Sequence, residues 1–255
     1  MKSSILVLLL LTPILFQCKG DRFNQKNQTK KTSKETVQSE TKNSCLADYQ
    51  MRPCDLISVA KISEFSGIAE SDMEITAPTE AVLKMKSVQD YLNCKFSWPS
   101  DRTMTVEAMG RSMTVPINNS ISVGFIKILT EEKLESRRKK SYAHWFEDHH
   151  KNVSEEDVKS VEGDVDKKLE EEGHGEEAKD VAKSIMEMAS KMTFTSVEGF
   201  GDMASYETNP NSSSVTLDVL HGDVIFGTIV DVSEDRDRNL EIAKQISKEI
   251  LKICK

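Results

Sequence analysis

Segments with the residue pattern of β-strands lie on both sides of a long region that lacks this pattern, which restricts the possible folds. On the N-terminal side, runs rich in β-branched and aromatic residues cover 91–98, 103–108 and 121–129. On the C-terminal side, the corresponding runs cover 194–197, 215–219 and 224–230. The last two flank a tight turn at 221–223 and predict a β-hairpin. The two flanks together predict one antiparallel sheet.

Helical spacing of apolar residues identifies the other elements. A short helix begins near Asp55 or Ser58 and ends at Gly67, and a terminal helix covers 236–253. The region 131–192 predicts three helices, and the short breaks between them favour antiparallel packing. The sequence therefore predicts an α+β domain in which an antiparallel sheet packs with N-terminal and C-terminal helices. The region at about 131–192 forms a helical insert in this domain.

The N-terminus has the pattern of an export signal. Lys2 precedes an apolar run at 5–16, and Cys18 follows this run. The run is shorter than the roughly 20 apolar residues that a bilayer-spanning helix needs, and it is typical of a signal peptide. It resembles a bacterial lipoprotein signal, in which cleavage precedes the cysteine and lipid is attached to its sulfur. We therefore expect residues 1–18 to be a lipoprotein signal and Cys18 to carry lipid. An ordinary signal peptide and an uncleaved anchor are the alternatives.

The segment 19–44 is polar, with Phe23 and Val37 as its only bulky apolar residues, and we expect it to be a disordered tether. Its net charge of +4 either attracts anionic lipid headgroups or simply keeps the tether solvated. With Lys2 counted in the signal, the total of −8 leaves −13 for residues 45–255, the predicted folded domain. An acidic domain repels phosphates, so we expect no nucleic-acid partner.

The cysteines support export to an oxidising compartment. When Cys18 is assigned to lipid, four cysteines remain: Cys45, Cys54, Cys94 and Cys254. An even number in an exported protein predicts two disulfides, with three possible connectivities. The sequence contains no CxxC motif, which disfavours a redox or zinc-ribbon site.

Three short motifs carry a family resemblance: Pro53-Cys54-Asp55-Leu56, Cys94-Lys95-Phe96-Ser97-Trp98 and Gly201-Asp202-Met203-Ala204-Ser205-Tyr206. With the hairpin and the terminal helix, they resemble a broad group of uncharacterised bacterial envelope lipoproteins. The resemblance implies an α+β domain with a Cys54–Cys94 disulfide, and it implies no catalytic residues. Cys45 and Cys254 are then the remaining cysteines, and we expect them to form the second disulfide. The insert departs from the family, so we expect it to be separable and to carry partner specificity.

The segment 144–150 is the most distinctive candidate for chemistry. On a helix, His144 would face Glu147 and Asp148, and Glu147 would face His150, so two carboxylate–imidazole pairs could share a metal ion. The HExxH spacing of helical zinc sites is absent. We favour a structural role, with the tryptophan and phenylalanine of this segment in the core and its polar residues in solvent. We therefore expect no metal site.

Three other motifs have simpler structural explanations. Ser58-Val59-Ala60-Lys61 matches the SxxK pattern of serine acyltransferases, but Ser58 can cap a helix and the companion motifs are missing. Asp164 and Asp166 lack the glycine and glutamate spacing of a calcium loop. The segment 199–202 is not followed by the helix start of a phosphate loop and predicts a turn.

These features predict a lipoprotein of the bacterial cell envelope, in the outer rather than the inner membrane. We expect a non-enzymatic binding or scaffolding domain without catalytic residues or cofactor. Its partners are the membrane, through lipid at Cys18, and an envelope protein or small ligand. The alternative is a hydrolase or acyltransferase that acts on envelope polymers. A deep cleft with a preorganised serine, histidine or carboxylate pair would favour the enzyme, and an apolar surface patch would favour binding.

Overall fold

The computed structural model describes residues 45–108, 111–173, 175–210 and 212–254. The predicted signal with Cys18 and the predicted tether at 19–44 lie outside the described residues. The predicted α+β fold is confirmed, because a seven-stranded antiparallel sheet packs with helices.

The strands are β1 (Glu74–Thr76), β2 (Asn93–Trp98), β3 (Thr103–Ala108), β4 (Arg111–Pro116), β5 (Asn119–Ile128), β6 (Thr193–Ser196), β7 (Met203–Thr208), β8 (Val215–His221) and β9 (Val224–Asp231). The α-helices are α1 (Val59–Ser66), α2 (Glu80–Leu83), α3 (Glu131–Ser136), α4 (Tyr142–His149), α5 (Glu155–Glu171), α6 (Glu176–Lys191) and α7 (Arg236–Leu251). Short 3₁₀ helices cover Cys45–Tyr49, Pro53–Asp55, Glu70–Asp72, Lys86–Tyr91 and Lys252–Cys254.

The large sheet has the order β1-β2-β5-β9-β8-β7-β6, and β3 pairs with β4 in a separate two-stranded ribbon. The central strand β9 pairs with β5, so strands from opposite flanks of the helical region are neighbours in one sheet. One face of the sheet, the first face, packs against α1 and α7 in the main core. The largest fully buried side chains of this core include Phe96, Ile121, Leu217, Phe226 and Ile246.

The first helix begins and ends at the predicted residues. The Ser58 hydroxyl accepts a hydrogen bond from the Lys61 amide at 3.3 Å, and Gly67 ends α1 in the left-handed conformation. Ile62 is fully buried on the face that packs on the sheet. Local signals therefore place this helix against the core.

Both predicted disulfides are present. Cys54 pairs with Cys94, joining the 3₁₀ helix before α1 to β2. Cys45 pairs with Cys254, joining the start of the described chain to the 3₁₀ helix after α7. Leu46, beside the second bridge, is fully buried in the main core. The first bridge therefore joins the N-terminal segment to the sheet, and the second joins the two ends of the described chain to each other.

The first part of the predicted helical insert packs on the large sheet. In α4, Trp145 and Phe146 are buried against Leu220 and Ile225 of the large sheet, in a second core that also includes Leu134 of α3. The second face of the sheet is therefore covered in part by α3 and α4. Residues 131–149, about the first third of the predicted helical insert at 131–192, complete the core on this face of the sheet.

A separate compact unit covers Val153–Ser190. Its helices α5 and α6 bury Val165 and Leu169 against Ala182 and Met186 in a small core of their own. Ser154 and Asp157 form a capping box at the start of α5, which fits the predicted helix start after Ser154. The separable part of the predicted insert is therefore this helical unit, and the remaining described residues form the sheet unit.

Replacing residues 153–190 by a short glycine-serine linker is expected to leave the sheet unit folded. Asn152 and Phe194 hold together the two chain ends that the linker joins, because the Phe194 amide donates to Asn152 Oδ1 at 2.7 Å and Asn152 Nδ2 donates to the Phe194 carbonyl at 3.4 Å. The thermal transition should stay cooperative, and non-reducing peptide mapping should recover both disulfides. Aggregation or a non-cooperative transition would show that the core needs the helical unit.

Candidate functional site

Helix α4 positions two histidines on the second face of the sheet. The Ser141 hydroxyl caps the helix by accepting from the His144 amide at 3.1 Å. Burial of Trp145 and Phe146 fixes the rotation of the helix. His149 and His150 therefore emerge at its C-terminal end, where each ring stacks on the aromatic ring four residues earlier.

His150 joins α4 to β8. Its Nδ1 lies 2.8 Å from the Phe146 carbonyl oxygen, and its Nε2 lies 2.9 Å from Asp218 Oδ2. Phe194 contacts the same ring edge-on, at 5.5 Å between centroids. The His150 side chain is 9% exposed, and its two polar contacts hold α4 on the sheet.

Two further charged groups lie near this pair, and together Lys127, His150, Glu207 and Asp218 form the sheet-face cluster. Burial raises the pKa of Glu207, and the negative charge of Asp218 raises it further. Burial lowers the pKa of Lys127, whose ammonium lies 4.9 Å from the centre of the Trp145 ring. Both shifts favour the neutral forms, as expected for partly desolvated groups. The cluster contains neither a serine nor a cysteine nucleophile.

Burial also lowers the pKa of His149, from 6.5 to about 4. Unfolded chains bind a proton at this residue near pH 6.5, whereas the folded protein does so only near pH 4. The resulting stability is therefore present above pH 6.5 and is lost as the pH falls through about 4. We expect the melting temperature of His149→Gln to fall less between pH 7 and pH 4 than that of the wild type. Equal losses, measured by circular dichroism, would contradict the assignment.

The carboxylate–imidazole pairs considered for segment 144–150 do not form. His144 Nδ1 accepts from the Lys140 amide, and Asp148 pairs with Lys139 and Lys151. The carboxylate that contacts His150 is Asp218 on β8, not Glu147. Within the described ranges, no group of three or more histidine, cysteine, aspartate or glutamate side chains is placed to hold a metal ion.

The other sequence motifs have structural roles. Ser58 caps α1, and Lys61 Nζ pairs with Glu64 at 2.7 Å, so the SxxK pattern does not form a nucleophile–base pair. Asp164 and Asp166 lie within the continuous helix α5 rather than in a calcium loop. The segment 199–202 precedes β7 without a helix, as expected for a turn.

The ribbon of β3 and β4 presents an apolar face. Met104 pairs with Val115 and Val106 pairs with Met113, and the two-residue period of a strand places all four side chains on one face. Met104 is 48% exposed and Met113 is 51% exposed. Among the described residues, none of the four belongs to a buried core cluster. We call these four residues the hairpin face.

Arg102 fixes the base of this ribbon to the large sheet. Its Nη1 donates to Asp231 Oδ1 at 2.6 Å, its Nη2 donates to the Asp231 carbonyl at 2.8 Å, and its Nε donates to Asn119 Oδ1 at 3.0 Å. The Ile117 amide also donates to the Arg102 carbonyl at 3.0 Å. An isolated two-stranded ribbon is only marginally stable, so these bonds hold it in one orientation.

A cleft of about 320 Å³ lies at the base of the ribbon and is called here the Trp98 cleft. It is lined by residues that include Ile68, Trp98, Pro99, Arg102, Asn119 and Val232. Trp98 is only 4% exposed, and its Nε1 is buried with no hydrogen-bond partner among the described residues. The hairpin face, with this cleft at the base of its ribbon, forms the candidate binding site.

Comparisons with protein-family models, with curated proteins and with solved structures find no significant match. No helix within the described ranges is both long enough and apolar enough to cross a bilayer. The geometry of the candidate site therefore carries the functional proposal.

Proposed function

We propose that the chain is a lipoprotein of the bacterial envelope, anchored through Cys18, whose folded domain binds a partner protein with the hairpin face. The observation that carries the binding role is the pair of exposed methionines, Met104 and Met113, beside the half-buried Val106 and Val115 on a ribbon that is clamped in place. A partner protein that covers these side chains removes apolar surface from water. The two disulfides and the predicted export signal support a location outside the reducing cytoplasm.

The size of the hairpin face favours a larger partner over a second copy of the chain. Six residues on each of two strands present about 200 Å² per face. Two such faces in contact bury far less than the roughly 1,200 Å² of a stable interface. A partner with a groove can enclose the ribbon and extend beyond it, so that the two methionines act as a hot spot.

The position of the hairpin face favours a protein over the anchoring membrane. The ribbon follows Trp98, which pairs with Asn119 at one end of the large sheet. Helix α7 begins at this same end, where Arg236 donates to the Ser212 carbonyl. The 16 residues of α7 extend about 24 Å from there. Cys254, and with it Cys45, therefore lies at the opposite end. The tether joins the domain at Cys45, so the hairpin face lies at the end of the sheet that is farther from the tether.

The predicted tether allows the domain to work at a distance from the bilayer. Residues 19–44 are a polar chain of 26 residues, for which a flexible coil has an end-to-end distance of about 30 Å. We propose that its basic residues remain near anionic headgroups while the acidic domain stays in solution. Mass spectrometry of the mature N-terminus should find lipid on Cys18. A mature chain that begins after Cys18, or an intact Met1, would refute the anchor.

A photoreactive amino acid at position 104 tests the binding role in cells that make the protein. We expect one adduct with another envelope protein, and no such adduct from the same group at Lys84, directly after α2, whose side chain is 79% exposed. An adduct of two copies of this chain, an adduct with lipid alone, or identical adducts from both positions would overturn the proposal.

A further inference from the structure

We infer that residues 137–140, between α3 and α4, bind anionic lipid headgroups of the bilayer that carries the anchor. These residues are Arg137-Arg138-Lys139-Lys140, and they are called here the basic loop. This inference rests on the proposed function, because it adds a second contact with the bilayer to the anchor at Cys18. The predicted tether allows the domain to move away from the bilayer, and the basic loop determines the orientation in which it returns.

The first argument is the concentration of positive charge in an acidic domain. The predicted folded domain has a net charge of −13, yet four basic residues are adjacent in the basic loop. Lys139 pairs with Asp148, whereas the exposed side chains of Arg138 and Lys140 have no ion-pair partner among the described residues. Glu135, an exposed acidic residue on α3, offsets only part of this charge. Anionic headgroups are therefore attracted to the basic loop and repelled by the net charge of the rest of the domain.

The second argument is the backbone conformation that presents these side chains. The Lys139 amide donates to the Leu134 carbonyl at 2.8 Å, with Arg138 in the left-handed region at φ +52°. This is the arrangement of a Schellman motif, in which glycine is preferred at the position of Arg138. The Lys140 amide is also fixed, since it donates to His144 Nδ1 at 3.3 Å. Strained residues are concentrated at functional sites, so a contact of the arginine side chain accounts for an arginine where glycine is less strained.

The third argument is the position of the basic loop near the attachment of the tether. Strand β5 runs away from the end of the sheet that carries the ribbon, and α3 follows β5. Asp90 links α3 to the start of the described chain, because its carboxylate accepts from Lys133 Nζ and from Gln50 Nε2, each at 3.2 Å. Gln50 directly follows the 3₁₀ helix that begins at Cys45. The basic loop, which follows the six residues of α3, therefore lies at the same end of the sheet as Cys45.

Because of the tether, a weak contact is sufficient. A flexible tether of 26 residues gives the domain an effective concentration near the bilayer in roughly the millimolar range. Each basic residue at an anionic surface shifts the equilibrium toward the bound state about fivefold. Acidic residues farther from the bilayer than the Debye length of about 8 Å are screened by salt. The body of the domain therefore stays in solution while the basic loop touches the headgroups.

The experiment uses the mature lipidated chain in vesicles of phosphatidylcholine, either alone or with about 30 mol% phosphatidylglycerol. A fluorescent amino acid replaces Ser136, the exposed last residue of α3, and a nitroxide on a lipid headgroup quenches its fluorescence at short range. We expect quenching in the vesicles that contain phosphatidylglycerol and little quenching in phosphatidylcholine alone. About 0.5 M salt should remove the quenching, because it screens the attraction.

Arg138→Gln/Lys140→Gln should lower the ratio of docked to released domain about 25-fold, which is about fivefold for each charge removed. The matched control is Lys95→Gln/Arg238→Gln, which removes an exposed lysine in the middle of β2 and an exposed arginine near the start of α7. Its ratio should stay within about twofold of the wild type, since α7 begins at the end of the sheet opposite Cys45. Both variants keep the tether, so a difference between them is due to the basic loop.

Equal quenching in both kinds of vesicle, or equal losses in the two double variants, would overturn the inference. Quenching that persists in high salt would mean apolar insertion instead of headgroup binding and would overturn it as well. The wild type in the two kinds of vesicle decides even if a variant fails to fold. An anchored chain that is never quenched would refute this inference alone. A chain without lipid on Cys18 would refute the anchor, and sedimentation of that chain with the same vesicles would still test the basic loop.

Discussion

Replacing Cys45 and Cys254 together by alanine should lower the free energy of unfolding by about 5 kcal/mol. The bridge closes a loop with a sequence separation of 209 residues, and the entropy that a crosslink removes from the unfolded chain grows with loop length. The bridge also holds the Cys45–Tyr49 helix, in which Leu46 is fully buried in the main core. Urea denaturation followed by circular dichroism measures this loss.

The matched control is removal of the other bridge. Replacing Cys54 and Cys94 opens a loop with a sequence separation of 40, so the loss should be smaller, about 4 kcal/mol. The losses in free energy of unfolding of the two double variants should therefore follow the order of their loop lengths. A loss below about 1 kcal/mol for Cys45→Ala/Cys254→Ala would show that the bridge contributes little to stability.

Gly201→Ala should cost about 3–4 kcal/mol of stability, because this glycine is enclosed by β8. Its φ is +52°, in the left-handed region, and a Cβ added here would overlap the Leu220 carbonyl oxygen. The following residue, Asp202, uses this close approach, since its amide donates to the Leu220 carbonyl at 2.8 Å and its carboxylate accepts from the Gly222 amide at 2.6 Å. The alanine variant must push two backbone segments apart.

Gly199→Ala measures the cost of the left-handed backbone conformation without the overlap with Leu220. Gly199 has φ +84°, but an added Cβ would meet no atom within 4 Å, so the variant should lose only about 1 kcal/mol. The difference between the two variants then measures the close approach to Leu220. Equal losses in urea denaturation would mean that backbone conformation alone explains the glycine of the Gly201-Asp202 motif.

Local sequence signals predicted the helix ends and most strands, because these depend on neighbouring residues. Ser58 and Gly67 limit α1 through a side-chain cap and a left-handed terminus. Strand β4 was missed, although its alternation of Met113 and Val115 continues that of β3. Strand β1 has only three residues, all exposed, and therefore carries almost no pattern.

The contacts that fix α4 and the base of the ribbon on the large sheet could not be predicted, because they join distant parts of the chain. His150 and Asp218 are 68 residues apart, and Arg102 and Asp231 are 129 residues apart. The helical spacing of 144–150 suggested carboxylate partners within the segment, whereas the fold supplies Asp218 on β8. The same limit applies to the helical region: the pattern in α4 shows an apolar face, but not that Leu220 and Ile225 cover it.

The dissociation constant of the partner identified by crosslinking at position 104 tests the binding role of the hairpin face directly. We expect Met104→Ser/Met113→Ser to weaken binding about 100-fold, since each truncated contact at a hot spot contributes about 1–2 kcal/mol. The matched control is Met51→Ser/Met85→Ser, which removes two methionines that are 40% and 50% exposed in other parts of the sheet unit. This control should bind within about threefold of the wild type. Unchanged affinity of the hairpin variant, or an equal loss in both variants, would contradict a binding role for the hairpin face.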